Sequence, residues 1–166
     1  MATKGTPAVR AVEAAGVAYR LLEYDYDPNA AAIGLAAAEA LGLDPALVYK
    51  TLVCQLEGGP APGLACAIIP AAARLDLKAL AAAAKAKKSD LAPQAVAERS
   101  SGYVVGGISP LGQRRKLPTF LDRSAEALAE IIVNGGRRGL QLALAPADLI
   151  KAADAQWADI TVRQGP

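Results

Sequence analysis

The 166-residue chain contains no histidine. That single absence excludes Ser-His and Cys-His nucleophile activation, imidazole-ligated metal sites and the commonest general base. Cysteine is scarce as well: Cys54 and Cys66 are too few for a zinc centre or a disulfide framework. Aromatic residues make up 4% of the chain, so a core has to be assembled from Leu, Val, Ile and Ala rather than from large rings. The N-terminus, MATKGTPAVRAVEAAGVAYR, lacks the apolar run of a signal peptide, and no long uninterrupted apolar stretch reads as a membrane span. A cytoplasmic protein with no membrane partner is the expectation. Carboxylates are scattered without a metal-ligating or paired-acid spacing, so neither a metal nor a cofactor is expected.

What is present is small, apolar and unevenly charged. Apolar residues reach 53%, largely alanine, in a length that suits one domain over residues 1–166 with a core of its own. The net charge is only +2, but residues 84–138 carry ten cations against five anions, leaving the remainder acidic. A basic half on a near-neutral protein fits an anionic ligand touched over a limited area, or equally an ordinary solvated face.

Residues 6–16 read as a helix capped by Thr6, opened by Pro7 and stopped by Gly16. An alternating edge strand follows in VAYRLLEYDYD, then a helix in NAAAIGLAAAEALGL ended by Gly42 and a short helical turn opened by Asp44-Pro45. VYKTLVCQLE and GLACAIIP, separated by GGPAPG, form a hairpin. If Glu57 and Gly63 flank its turn, Cys54 and Cys66 face each other. That pairing is geometrically open to a disulfide, although two small buried thiols in a reducing cytosol suit the composition better. Helices are expected in RLDLKALAAAAKAKK and SDLAPQAVAERSSG, a strand and loop in YVVGGISPLG, and a strand and turn in TFLDRSA. Strands at 131–133 and 139–144 flank a glycine turn, and PADLIKAADAQWADI closes the chain as a helix. The hairpin points to a mixed sheet rather than a purely parallel one.

Three features could carry chemistry. The glycine pairs Gly106-Gly107 and Gly135-Gly136 are each followed by cations, Arg114, Arg115 and Lys116 in one case and Arg137 and Arg138 in the other. Neither matches a P-loop or dinucleotide fingerprint. They read either as two backbone-lined walls of one pocket or as two tight turns at strand ends. Lys50 lies inside the apolar run LVYKTLV, as a functional cation or as a strand-edge lysine reaching for water. Tyr24 and Tyr26 alternate on one face of a strand, lining a pocket or packing in the core.

Taken in order, YKTLV, LDLKAL, AKK, RSSGYVVGGISPLGQRRKLPTFLD, GGRRGLQL and ADLIKAADAQWADI resemble the YbaK-type Cys-tRNA(Pro) deacylases of the prolyl-tRNA synthetase editing-domain superfamily. The resemblance covers about residues 6–162. It implies an α+β fold, a mixed and largely antiparallel barrel-like sheet surrounded by helices. It implies a free-standing trans-editing enzyme that removes cysteine from the acceptor end of tRNA(Pro), in a transient complex with prolyl-tRNA synthetase. The family's lysine falls on Lys50 and its pocket glycine on Gly106, beside Gly107. Tyr24 and Ile33 match its pocket tyrosine and hydrophobe, with Ile108, Asn134, Gly135 and Gln141 also on the substrate side. Arg114, Arg115, Lys116, Arg137 and Arg138 would meet tRNA phosphates. In that family no protein nucleophile is required, because the cysteine's own thiol attacks its ester. Three positions depart from the pattern: Asn134 stands where Ser is usual, Gln141 where Asp is usual and Tyr26 where His is usual. The first two bear on which amino acid is cleared. An alternative is a deacylase for another small residue such as alanine, and a further one is a non-catalytic tRNA- or synthetase-binding relative.

Overall fold

The computed structural model describes residues 5–29, 33–60 and 62–162. Helix α1 (Pro7–Ala15) begins where Thr6 Oγ1 accepts the Val9 N–H and ends at Gly16, whose φ of 70° suits a residue without Cβ. Its buried face is Ala8, Val9 and Val12. Strand β1 (Arg20–Glu23) is shorter than the alternating pattern predicts, and α2 (Ile33–Leu41) stops before Gly42. The Asp44 carboxylate caps a single 3-10 turn over Pro45–Leu47.

The hairpin forms as expected from β2 (Tyr49–Glu57) and β3 (Leu64–Pro70), but its register differs by one residue. Cys54 pairs with Ala65 and Cys66 with Val53. Because strand side chains alternate, a one-residue shift places the two thiols on opposite faces. They are free and buried, and no disulfide can join them. The shift is set at the turn, where Leu56 N–H donates to Gly63 O and the last ladder pair is Gln55 with Leu64.

After α3 (Leu77–Ala83), capped by Asp76, the chain makes a strand that the sequence does not announce. β4 (Lys88–Leu91) is the polar run Lys-Ser-Asp-Leu, formed because the edge of β2 offers it unpaired backbone from Cys54 to Glu57. The helix expected over RLDLKALAAAAKAKK therefore ends early: Lys85 follows α3 with a φ of 59° and Lys88 opens β4. Helix α4 (Gln94–Ser101) closes at Gly102 as predicted. The strand predicted at Tyr103–Val105 is absent, because Glu98 Oε2 accepts the Val105 N–H and Gly107 N–H turns back to Val104 O. The following Ser-Pro-Leu-Gly passage is fixed from within: Tyr103 Oη donates to Leu111 O at 2.6 Å, and Gly112 lies directly against the Pro7 carbonyl.

Strands β5 (Thr119–Asp122), β6 (Ile131–Asn134) and β7 (Leu140–Leu144) match expectation, with a 3-10 turn at Arg123–Ala127. Helix α5 (Pro146–Ala153) is shorter than predicted. It stops at Asp154 in the left-handed region, and Gln156–Ala158 becomes β8, recruited to the open side of β5.

Two sheets result, β4-β2-β3-β5-β8 and β1-β7-β6. The second is antiparallel; the first is antiparallel at β4-β2-β3 and parallel at β3-β5-β8. A parallel bridge between Val48 and Ile132 joins the two sheets at one point. The largest core cluster unites α1 and α5 with both sheets through Val12, Ile68, Leu121, Leu142 and Leu149. No helix among the described residues is long and apolar enough to cross a membrane.

Candidate active site

β4 pairs with only the Cys54–Glu57 half of β2, which leaves an open edge between Val53 and the Val48–Ile132 bridge. In an antiparallel strand, alternate residues turn both backbone groups to the same side. Val53 O accepts from Ala92 N–H on the β4 side, so Thr51, two residues earlier, turns its N–H and C=O toward the open edge. A cavity of about 570 Å³ lies there, walled by that edge, by Val105, Gly106 and Ile108, and by the ends of β6 and β7.

Lys50, Gly106, Ile108, Asn134 and Gln141 all line this cavity. Lys50 is half-buried, and burial lowers its pKa by penalising the charged form. Among the described residues it has no carboxylate or hydrogen-bond partner, and no carboxylate lines the cavity. Its ammonium is the unneutralised charge of the site.

The two glycine pairs are joined by one side chain. Asn134 Nδ2 donates to Gly106 O at 2.9 Å, and Asn134 Oδ1 accepts the Gly136 N–H at 2.7 Å. Those opposite demands fix which end of the amide is which. The turns also touch directly: a Cβ on Gly107 would lie 3.0 Å from the Arg137 and Arg138 backbone. Gly106 holds a φ of +91°, and a Cβ there would lie 2.6 Å from Tyr26 Oη. Of these four glycines only Gly106 lines the cavity; the other turn meets it through Asn134.

Gly107 itself does not line the cavity, and its N–H is committed to Val104 O. The Gly106 N–H has no partner among the described residues. Because the Val105 carbonyl is held by Arg138 Nε at 3.0 Å, that N–H points to the opposite side of the same trans peptide. Gly135 supports the second turn from behind, donating its N–H to Leu140 O and accepting from Thr6 Oγ1 at 2.7 Å.

Asn134 and Gln141 are direct partners across β6 and β7, so the two departures from the family pattern form one local unit. Gln141 is buried, and Tyr24 lies beside it. Burial raises the Tyr24 pKa, offset in part by the Gly139 backbone and Gln141; its hydroxyl has no hydrogen bond of normal geometry. Tyr24 does not line the main cavity. It borders an adjacent cleft of about 430 Å³ with Tyr26 and Glu39 and reaches the site through Gln141. Ile33 opens α2, and its side chain lies outside the described residues.

The cations divide. Arg115 and Lys116 line a separate cavity of about 300 Å³ against α1 and α5, where Lys116 pairs with Asp154 at 2.5 Å. Arg114 packs across Gly102. Arg137 contacts Glu23 at 3.8 Å, and Arg138 lies 5.3 Å over the Tyr26 ring at the cavity rim. Thr51 lines the cavity with a buried hydroxyl that has no partner among the described residues, at a position that nothing in the chain's composition or pattern singles out. Cys54 and Cys66 are elsewhere, both pushed up to about 12 by burial, which removes them as nucleophiles.

Solved structures superpose on nearly the whole of this two-sheet fold. A hypothetical protein, APE2540, matches with a TM-score of 0.81 at 25% identity, over 94% of this chain and 99% of that one. A crystal structure described as "a putative trans-editing enzyme for prolyl tRNA synthetase" matches with a TM-score of 0.80 at 23% identity, over 95% and 96%. Residues 27–152 match the family described as "Aminoacyl-tRNA editing domain", and the chain belongs to it. A curated relative from Enterococcus faecalis (strain ATCC 700802 / V583), "Putative Cys-tRNA(Pro)/Cys-tRNA(Cys) deacylase EbsC", is 35% identical over 159 residues, covering 96% of this chain and 94% of the relative.

Proposed function

We propose that this chain is a free-standing editing deacylase that clears cysteine from tRNA(Pro), and that it does so without a protein nucleophile. The observation that carries the reading is the unpartnered Lys50 ammonium in one cavity with Gly106, whose carbonyl is held by Asn134. No histidine or carboxylate lines that cavity, and both protein thiols are buried elsewhere.

The chemistry is then substrate-assisted. The cysteinyl sulfur attacks its own ester carbonyl, forming a C–S bond. The C–O bond to the terminal ribose breaks, and the ribose oxygen takes up the proton that the thiol loses. The amino acid leaves as a thiolactone, which water opens to free cysteine. The protein holds thiol and carbonyl together and stabilises the oxyanion with Lys50 and the Gly106 N–H. Prolyl-tRNA synthetase is the partner that supplies mischarged tRNA, and Arg114, Arg115, Lys116, Arg137 and Arg138 are the candidate phosphate contacts.

A second reading rests on the Asn134–Gln141 pair, which brings two amides where the family pattern has Ser and Asp. If they reshape the amino-acid pocket, the substrate is another small residue such as alanine, and water replaces the thiol as attacking group. Deacylation of Cys-tRNA(Pro), Cys-tRNA(Cys), Ala-tRNA(Pro) and Pro-tRNA(Pro) in parallel decides between them. Clearance of none above the spontaneous rate, with tRNA still bound, leaves only a non-catalytic binding role.

A further inference from the structure

The cavity is too large for the amino acid alone. Its volume of about 570 Å³ is that of sites enclosing a drug-sized molecule, about 300–1,000 Å³, whereas a cysteinyl group has one sulfur beyond its β-carbon. Besides Lys50 and Gly106, its lining includes Leu91, Ala92, Gln94 and Val105. Four large apolar side chains are exposed among the described residues; Leu91 (54%) and Val105 (36%) line this cavity, and Val104 (50%) adjoins Val105. An apolar cluster gathered at one cavity mouth signals a ligand surface rather than scattered surface hydrophobics.

Two polar groups border it. Gln94, at the start of α4, presents an amide with both a donor and an acceptor. The exposed Arg138 is held by Val105 O and the Tyr26 ring, and its terminal nitrogens have no protein partner among the described residues. Two exposed apolar side chains, an amide in the same lining and a guanidinium held at Val105 match a nucleobase and its phosphate. The side-chain amide of glutamine pairs bidentately with adenine in particular.

We propose that Leu91 and Val105 seat the terminal adenine of the tRNA acceptor end, with Gln94 at the base edge and Arg138 at its phosphate. This seat rests on the aminoacyl-tRNA reading above and assigns the part of the substrate that the ester chemistry does not touch. It makes the terminal nucleoside, rather than the amino acid, the main source of ground-state affinity.

The test uses two non-hydrolysable probes, cysteinyl-adenosine linked through a 3′-amide and the same cysteinyl amide on an abasic ribose. The wild-type protein is expected to bind the adenosine probe about tenfold more tightly. In L91Q/V105T, with unfolding temperature unchanged, that preference should shrink to about threefold or less. Equal binding of both probes by the wild type, or an undiminished preference in the variant, would overturn the seat. So would loss of prolyl-tRNA synthetase association in the variant with base preference intact, because the two side chains would then belong to a protein-docking surface. A wild-type protein that prefers the adenosine probe yet clears no mischarged tRNA would remove the deacylase reading and leave the seat standing.

Discussion

Asn134 binds Gly106 and Gly136 at once, its Nδ2 2.9 Å from one carbonyl oxygen and its Oδ1 2.7 Å from the other residue's amide nitrogen. The amide sets the orientation of the Gly106 peptide and ties it to the β6-β7 turn. A serine has one oxygen and a shorter reach, so it cannot span the same two groups.

Replacing Asn134 should separate these contacts. N134A loses both, at a cost of about 1–3 kcal/mol for groups left unsatisfied in a partly buried site. N134D keeps an acceptor for Gly136 but turns a second oxygen toward the Gly106 carbonyl, so single-turnover deacylation should fall further than in N134S. Chemical denaturation and single-turnover rates measure the two effects. A fully active N134D would remove the Gly106 contact from the mechanism.

Lys50 carries opposite consequences for stability and rate. Its folded pKa is lowered by burial, so its charged form costs stability below that pKa, and the cost is relieved as pH rises through it toward the unfolded value of 10.5. K50M should therefore be at least as stable as wild type at neutral pH and should lose the alkaline rise in stability. Its deacylation rate should drop by about 10²–10³, the usual loss for one oxyanion-stabilising group. Thermal unfolding from pH 7 to 11, beside a rate assay, tests both halves.

Gly106→Ala is expected to cost about 1–3 kcal/mol from the positive φ alone, with the Tyr26 contact added. In G106A/Y26F the hydroxyl contact is gone and the backbone strain remains. The double variant should recover part of the lost stability. Full recovery would show that the backbone conformation is not strained.

Both protein thiols should resist alkylation in the native state, because burial pushes them up to about 12. Two equivalents should react after denaturation. C54A/C66A should keep its deacylation of Cys-tRNA(Pro), since in the proposed chemistry the reacting thiol belongs to the substrate. Loss of turnover with the fold intact would contradict that chemistry.

Much of the framework was legible in the sequence because it is locally encoded. Thr6, Pro7 and Gly16 delimit α1, and Asp44 caps the turn expected of it. The elements that escaped, β4 and β8, are short and are made by vacant backbone on β2 and β5. Likewise Tyr103–Val105 has a strand's composition, but Glu98 takes an N–H that a ladder would need. Lys50 and the glycine pairs could be picked out as misfits in their surroundings. Thr51 and Val105 could not, since an open strand edge and a cavity rim exist only after the sheets meet.

Thr6 caps the first helix and holds the turn after β6: its hydroxyl accepts from Val9 and donates to Gly135. The second of these bonds joins residues 129 positions apart in the chain. The helix that opens the fold and the turn that shapes the pocket therefore share one oxygen atom. Fraying of α1 would reach the reaction centre as a slackened turn, giving slower turnover in a protein whose sheets are still intact.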